Sequence, residues 1–120
     1  LAGKLSFGQT AELIARSKGF VGPDTGTTHV ASSTGVPIVT LFGPSDPTAW
    51  GPWGRGQTKP FASRNDGVPQ RRGNVILLTK HCKCQGGMGC LNHRDSHSDC
   101  LNALTMDEVW SALKELRIVP

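Results

Sequence analysis

Val21-Gly22-Pro23-Asp24-Thr25-Gly26-Thr27-Thr28-His29 is a short apolar run that stops at an acid and a glycine, after which a helix-like segment begins. Val39-Thr40-Leu41-Phe42-Gly43-Pro44-Ser45-Asp46-Pro47 follows soon after, and its apolar run ends in another Gly-Pro turn. This punctuation places polar groups at the carboxyl ends of parallel strands, where open α/β sheets bind ligands. It points to a nucleotide-type ligand.

The flanking segments extend the pattern. Residues 8 to 18 predict an amphipathic helix with Ser6 as N-cap, Ala11, Leu13, Ile14 and Ala15 on the apolar side, and Gly19 as C-cap. Phe20-Val21 predicts a buried strand, and residues 26 to 34 a helix that Gly35 ends and Pro37 cannot continue. Pro37 to Phe42 is a β-branched run typical of a strand covered on both faces. Gly43 to Gly73 holds most of the prolines and predicts a long loop region with one short strand near Pro60 to Ala62. A loop of that length in a small domain is usually functional. Val75 to Leu78 predicts another buried strand. Thr105-Met106-Asp107-Glu108 is a capping box for a last helix, Met106 to Leu116, with Val109, Trp110, Leu113 and Leu116 at core spacing. Alternating strands and helices argue for a parallel sheet with helices on both faces. Three convincing strands are few for a doubly wound domain, so the expectation is a truncated sheet.

Bulk properties narrow the function classes. The chain has 120 residues, enough for one domain. Its Gly 15 and Pro 8 show no period, which excludes collagen-like and low-complexity readings. No apolar run approaches the roughly 20 residues of a membrane span. The opening Leu1-Ala2-Gly3-Lys4 lacks an initiator Met and the pattern of a signal peptide, and reads as the middle of a longer chain. The net charge of +4 draws on Arg64, Arg71, Arg72, Lys80 and Lys83. It suits an anionic small molecule, an anionic membrane surface or nucleic acid, or a merely solvated basic face. No stripe of Lys and Arg interleaved with aromatics is present and Tyr is absent, which argues against nucleic acid.

At Asp24 to His29 the chemistry is that of an anion cradle. A helix N-terminus offers free N–H groups and positive dipole. Gly26 lets the backbone approach closely, and Thr25, Thr27 and Thr28 offer hydroxyl donors. His29 lies about one turn into the helix, and Asp24 can take a sugar hydroxyl or hold the turn. Taken alone the pattern is weak, because Asp and Thr cap helices routinely and a lone His is more often structural.

The combination is more specific. Asp24-Thr25-Gly26-Thr27-Thr28-His29-Val30-Ala31, then Gly35-Val36-Pro37, then Leu41-Phe42-Gly43-Pro44-Ser45-Asp46-Pro47, then Gly51-Pro52-Trp53-Gly54, resembles the C-terminal domain of glycosyltransferase family 9. The tail from Cys100 to Val109 resembles the helix start that follows a Cys-rich stretch in that family. The resemblance implies a truncated Rossmann-like parallel sheet with flanking helices, the donor-binding half of a GT-B glycosyltransferase. On it, residues 1–120 form one partial nucleotide-sugar-binding domain, and the N-terminal acceptor domain, with the catalytic base, is absent. Asp24, Thr25, Gly26 and His29 match the donor-binding block, and Lys4 and Leu5 match a turn near the adenine. The implied donor is ADP-heptose or another nucleotide sugar. The implied acceptor is a lipid-linked saccharide such as lipopolysaccharide core. The implied chemistry is inverting and needs neither metal nor cofactor. No catalytic residue is expected in this chain, which alone should bind donor weakly and transfer nothing. The implied location is cytoplasmic, with peripheral contact at the inner face of the membrane.

Cys82, Cys84, Cys90 and Cys100, with His81, His93 and His97, remain open between packing thiols, a structural zinc site and disulfides. The zinc reading makes the chain a small metal-stabilised binding module, the alternative to a transferase domain. Trp50 and Trp53 are expected to anchor their loop, with stacking on a sugar or adenine as the other reading. Trp110 is expected in the core. Arg71-Arg72 is expected to be solvated, with attraction to anionic lipid headgroups as the sharper alternative.

Overall fold

The computed structural model describes residues 1–63, 67–81 and 98–120. Three short strands, β1 (Phe20–Pro23), β2 (Ile38–Leu41) and β4 (Val75–Leu78), run parallel, and β3 (Gln70–Arg72) pairs antiparallel with β4 at one edge. The sheet order is β1-β2-β4-β3. The strands register so that Pro23, Leu41 and Leu78 end level. The fold is thus the expected truncated α/β sheet, mixed rather than wholly parallel.

Side chains on alternate positions divide the core in two. Ile38, Phe42, Val75 and Leu77 pack with Ile14 of α1 (Phe7–Ala15) and Ala31 of α2 (Gly26–Thr34) on one face. Val39, Ile76 and Leu78 pack with Ala112 and Leu116 of α5 (Met106–Glu115) and its C-cap on the other. This period of two is what a strand covered on both faces requires. Two shorter helices, α3 (Pro47–Trp50) and α4 (Asp99–Asn102), complete the described elements.

Several local expectations hold. Ser6 and Thr105 both close capping boxes, with Gln9 and Glu108. Gly35 ends α2 with φ 78°, a left-handed geometry that side chains resist. Others need correction. α1 ends at Ala15 with Arg16 as its cap, so Gly19 is no C-cap. A Cβ on Gly19 would lie 2.6 Å from Ile118 Cδ1, so its smallness serves packing. Leu13 and Ala15 are exposed, because only the Ile14 stripe of α1 reaches the sheet. The extra strand is Gln70–Arg72, not Pro60 to Ala62. Instead the Gln70 side-chain amide pairs with both backbone groups of Ala62, at 2.8 and 2.9 Å.

The aromatic and arginine expectations also change. Trp110 is 47% exposed, because Val109, Ala112, Leu113 and Leu116 form the stripe that meets the sheet. Trp50 and Trp53 are 52% and 54% exposed, and Phe61, Pro47 and Pro52 bury themselves in their place. Arg71 pairs with Glu115 at 2.9 Å, and Arg72 sits over the Phe61 ring and donates to the Pro60 carbonyl. Both arginines therefore have partners in the fold.

Asn74, in the turn between β3 and β4, fastens three segments. Its side-chain NH2 donates to the carbonyls of Gly35 and Val36, both at 3.0 Å, and its side-chain oxygen accepts from Arg55 N at 2.7 Å. Its carbonyl receives Ile38 N at 2.9 Å. Removing three side-chain hydrogen bonds at about 1 kcal/mol each, Asn74→Ala should lower unfolding free energy by about 2–3 kcal/mol, read from urea denaturation.

Glu108 joins α5 to the end of β4 through an ion pair with Lys80. The Lys80 ammonium, and next the Thr105 amide, hold its carboxyl below the ordinary value of 4.5. The charged form therefore stabilises the fold above about pH 4.5, and this contribution fades as pH falls through the lower folded value. Glu108→Gln keeps the capping box but removes the charge. Its stability should vary less than the parent's across the acid limb, as thermal melts at stepped pH would record.

Candidate functional site

The carboxyl ends of β1, β2 and β4 form one edge of the molecule, and the Asp24 to His29 turn stands on it. Gly22 makes the approach possible. A Cβ there would lie 2.6 Å from the Phe20 ring and 3.3 Å from Thr28 Oγ1. Pro23 then ends the strand, and α2 opens at Gly26.

Four of the expected residues come together here. Asp24 Oδ1 lies 3.9 Å from His29 Nε2, with the aspartate side chain 20% and the histidine 46% exposed. Asp24 precedes the Thr25 N-cap, so the bend between β1 and α2, and not helical spacing, brings it to His29. Thr25 is the N-cap, yet its side chain accepts no capping hydrogen bond. The N-cap side chains of the other four described helices, Ser6, Asp46, Ser98 and Thr105, all do. The first turn of α2 therefore keeps its amides without a side-chain partner. A Cβ on Gly26 would meet nothing within 4 Å, so the space beside those amides is open.

Thr28 departs from expectation. Its side chain is buried, and its hydroxyl donates to the Pro23 carbonyl. It is a fastener of the turn, while Thr25 and Thr27 stay exposed. Lys4 is exposed and Leu5 half-buried in the segment before α1, and among the described residues no hydrogen bond or ion pair joins them to the turn. α1, which follows that segment, packs on α2.

The second quoted turn follows β2, whose end is level with that of the neighbouring β1. Gly43 is buried at the end of β2, where a Cβ would lie 3.1 Å from Ser98 Oγ. Asp46 caps α3 by accepting from Thr48 N at 3.0 Å, so its carboxylate is committed to structure. Sequence reasoning missed the role of Gly22. The tight spacing of Phe20 and Gly22 before a proline was its only signal.

Of the cysteine and histidine cluster, Cys82, Cys84, Cys90, His93 and His97 lie outside the described residues. Cys100 is a free, buried thiol beside Ser98. Among the described residues no three His, Cys, Asp or Glu side chains gather as a metal would need.

Residues 1–78 match the family model for glycosyltransferase family 9 (heptosyltransferase). The chain belongs to that family. Lipopolysaccharide heptosyltransferase 3 of Escherichia coli is 32% identical over 71 residues, covering 59% of this chain and 21% of that protein. The protein of the same name from strain K12 gives the same figures. Lipopolysaccharide heptosyltransferase 1 of Pseudomonas aeruginosa PAO1 is 39% identical over 54 residues, 45% of this chain and 15% of that one. The chain spans about a fifth of the length of the first curated relatives it matches. No solved structure matches. The matched span contains the whole Asp24 to His29 turn of this family 9 domain, and also both core faces of β2 and β4.

The Thr28 hydrogen bond gives the site its shape, so it can be tested directly. Thr28→Val keeps the volume and leaves the Pro23 carbonyl without its partner. Stability should fall by about 1–2 kcal/mol, and the amide resonances of Asp24 to Gly26 should shift relative to the parent spectrum.

Proposed function

We propose that this chain is the nucleotide-sugar-binding part of a glycosyltransferase that moves heptose, or a related sugar, from an ADP-activated donor to lipopolysaccharide core or a similar saccharide. The observation that carries the reading is the start of α2, with a first turn free of side-chain capping, an open Gly26 and the Asp24–His29 pair beside it. A diphosphate accepts hydrogen bonds from such amides and gains from the helix dipole. His29 adds a donor to a phosphate oxygen, and Asp24 takes a sugar hydroxyl. The names of the relatives support heptose as the sugar.

In the proposed reaction the acceptor hydroxyl attacks the anomeric carbon opposite the diphosphate, so the configuration inverts. A side-chain base on the acceptor side takes the hydroxyl proton, and ADP departs against the α2 amides. Asp24 belongs to the donor in this scheme and is not the base. The donor site needs no metal or cofactor on this reading. The acceptor and base belong to a facing domain, so the chain alone binds donor weakly and transfers nothing. A lipid-linked acceptor brings such an enzyme to the inner face of the cytoplasmic membrane. No helix among the described residues is long and apolar enough to cross a membrane, and the net charge of +4 suits an anionic surface.

Titration of the 15N-labelled chain with ADP tests the reading. Amides of Thr25 to His29 should shift, and His29→Ala should weaken the affinity about fivefold. If millimolar ADP moves no amide between Asp24 and His29, the reading fails.

A further inference from the structure

From Pro47 to Gly54 the chain reads Pro-Thr-Ala-Trp-Gly-Pro-Trp-Gly and carries no charge. Its backbone is pinned by everything except the tryptophan rings. Pro47 and Pro52 are fully buried, as is Phe61. A Cβ on Gly51 would lie 2.5 Å from the Phe61 ring and 2.6 Å from the Pro47 carbonyl oxygen, and one on Gly54 would collide with Val75. Ser32 of α2 donates to the Trp53 carbonyl. The loop therefore holds its shape without its indoles, and about half of Trp50 and of Trp53 stays open to water. Tryptophan is highly buried on average, so two of them left open on one pinned, uncharged stretch mark a binding surface.

Three observations select the occupant. The link between the two tryptophans, Gly51-Pro52, is extended, with Gly51 at φ −59° and ψ 131°. Three residues span at most about 11 Å, short enough for joined sugar rings to reach from one indole to the other. Ser32 stands one turn after His29 on α2, and residues three apart share a helix flank. The tryptophan loop is thus attached along the flank that carries His29. The first charges on either side are Asp46, committed to capping α3, and Arg55. A stretch so poor in cations offers little to a phosphate or an anionic headgroup. A pyranose ring fits it, because one ring face is made of C–H groups that lie flat on an indole.

We propose that Trp50 and Trp53 form a saccharide platform, on which neutral pyranose rings lie with their C–H faces against the indoles. Each indole N–H is a donor for a ring hydroxyl. The occupant is the part of an acceptor saccharide beyond the ring that reacts. The chain belongs to a glycosyltransferase family, and the assignment of these rings to an acceptor rests on the function proposed above.

The test is titration of the whole 120-residue chain with mannotriose, followed at the indole N–H resonances of Trp50, Trp53 and Trp110. Trp110, on α5, is the internal reference. The expected result is saturable millimolar shifts at Trp50 and Trp53, none at Trp110, and none with mannitol, which has the hydroxyls but no ring. Trp50→Leu and Trp53→Leu should each weaken mannotriose about fivefold, while Trp50→Phe and Trp53→Phe keep most of the affinity. Circular dichroism confirms the fold of each variant. No saturable indole shift, equal shifts with mannitol, or leucine variants that bind like the parent overturn the proposal. Indole shifts that follow protein concentration without sugar put a second copy on the patch and overturn it too. Titration with ADP separates the two readings. Amide shifts at Thr25 to His29 without indole shifts under mannotriose sink the platform alone, and the reverse pattern upholds the platform and counts against the donor reading.

Discussion

The Asn74 side chain holds the amino end of this sheet together. Three hydrogen bonds tie the β3–β4 turn to the end of α2 and to the loop at Arg55. A parallel sheet of four-residue strands has few ladder bonds of its own, so its register needs such an anchor. Because the strands are fixed at this end, their other ends finish level at Pro23, Leu41 and Leu78. The polar turn after β1 and the Gly-Pro turn after β2 then stand side by side. All the chemistry that can be assigned to this chain rests on that alignment.

The two ends of the sheet are treated differently. At the amino end the carbonyls of Gly35 and Val36 are satisfied by one amide side chain. At the carboxyl end α2 begins without a side-chain cap, although a threonine occupies the cap position. A helix start that forgoes a stabilising hydrogen bond worth about 1 kcal/mol keeps its amides for another acceptor. The Asp24 carboxylate lies 3.9 Å from the His29 imidazole beside that helix start. On the reading proposed above, that start takes the diphosphate of the donor.

Much of the fold was legible because the decisive signals were local. Gly35 after an apolar helix, Thr105 ahead of Glu108 and the β-branched run at β2 each state their structure within a few residues. What could not be read depended on partners far along the chain. Thr28 looked like a free hydroxyl until the Pro23 carbonyl lay beside it. Trp110 looked like core at helical spacing, but the stripe that meets the sheet is turned one ridge away. Arg71 found Glu115 across 44 positions of sequence. The gathering of Asp24, Thr25, Gly26 and His29 was readable because the four sit within six positions, whereas among the described residues no hydrogen bond or ion pair joins Lys4 and Leu5 to them.

The long excursion between β2 and β3 is attached chiefly by side chains. Ser32 donates to the Trp53 carbonyl, Asn74 receives the Arg55 amide, and Gln70 imitates a strand for Ala62. None of these bonds belongs to the parallel ladders that set β1, β2 and β4. Yet Phe61, from the middle of the excursion, is 2% exposed and lies in the same core cluster as Ile38, Val75 and Leu77. The excursion therefore covers the sheet as well as hanging from it. Insertions and deletions can be absorbed only where they leave Phe61 seated and the Arg55 contact with Asn74 in place, which confines drift in length to the solvent side.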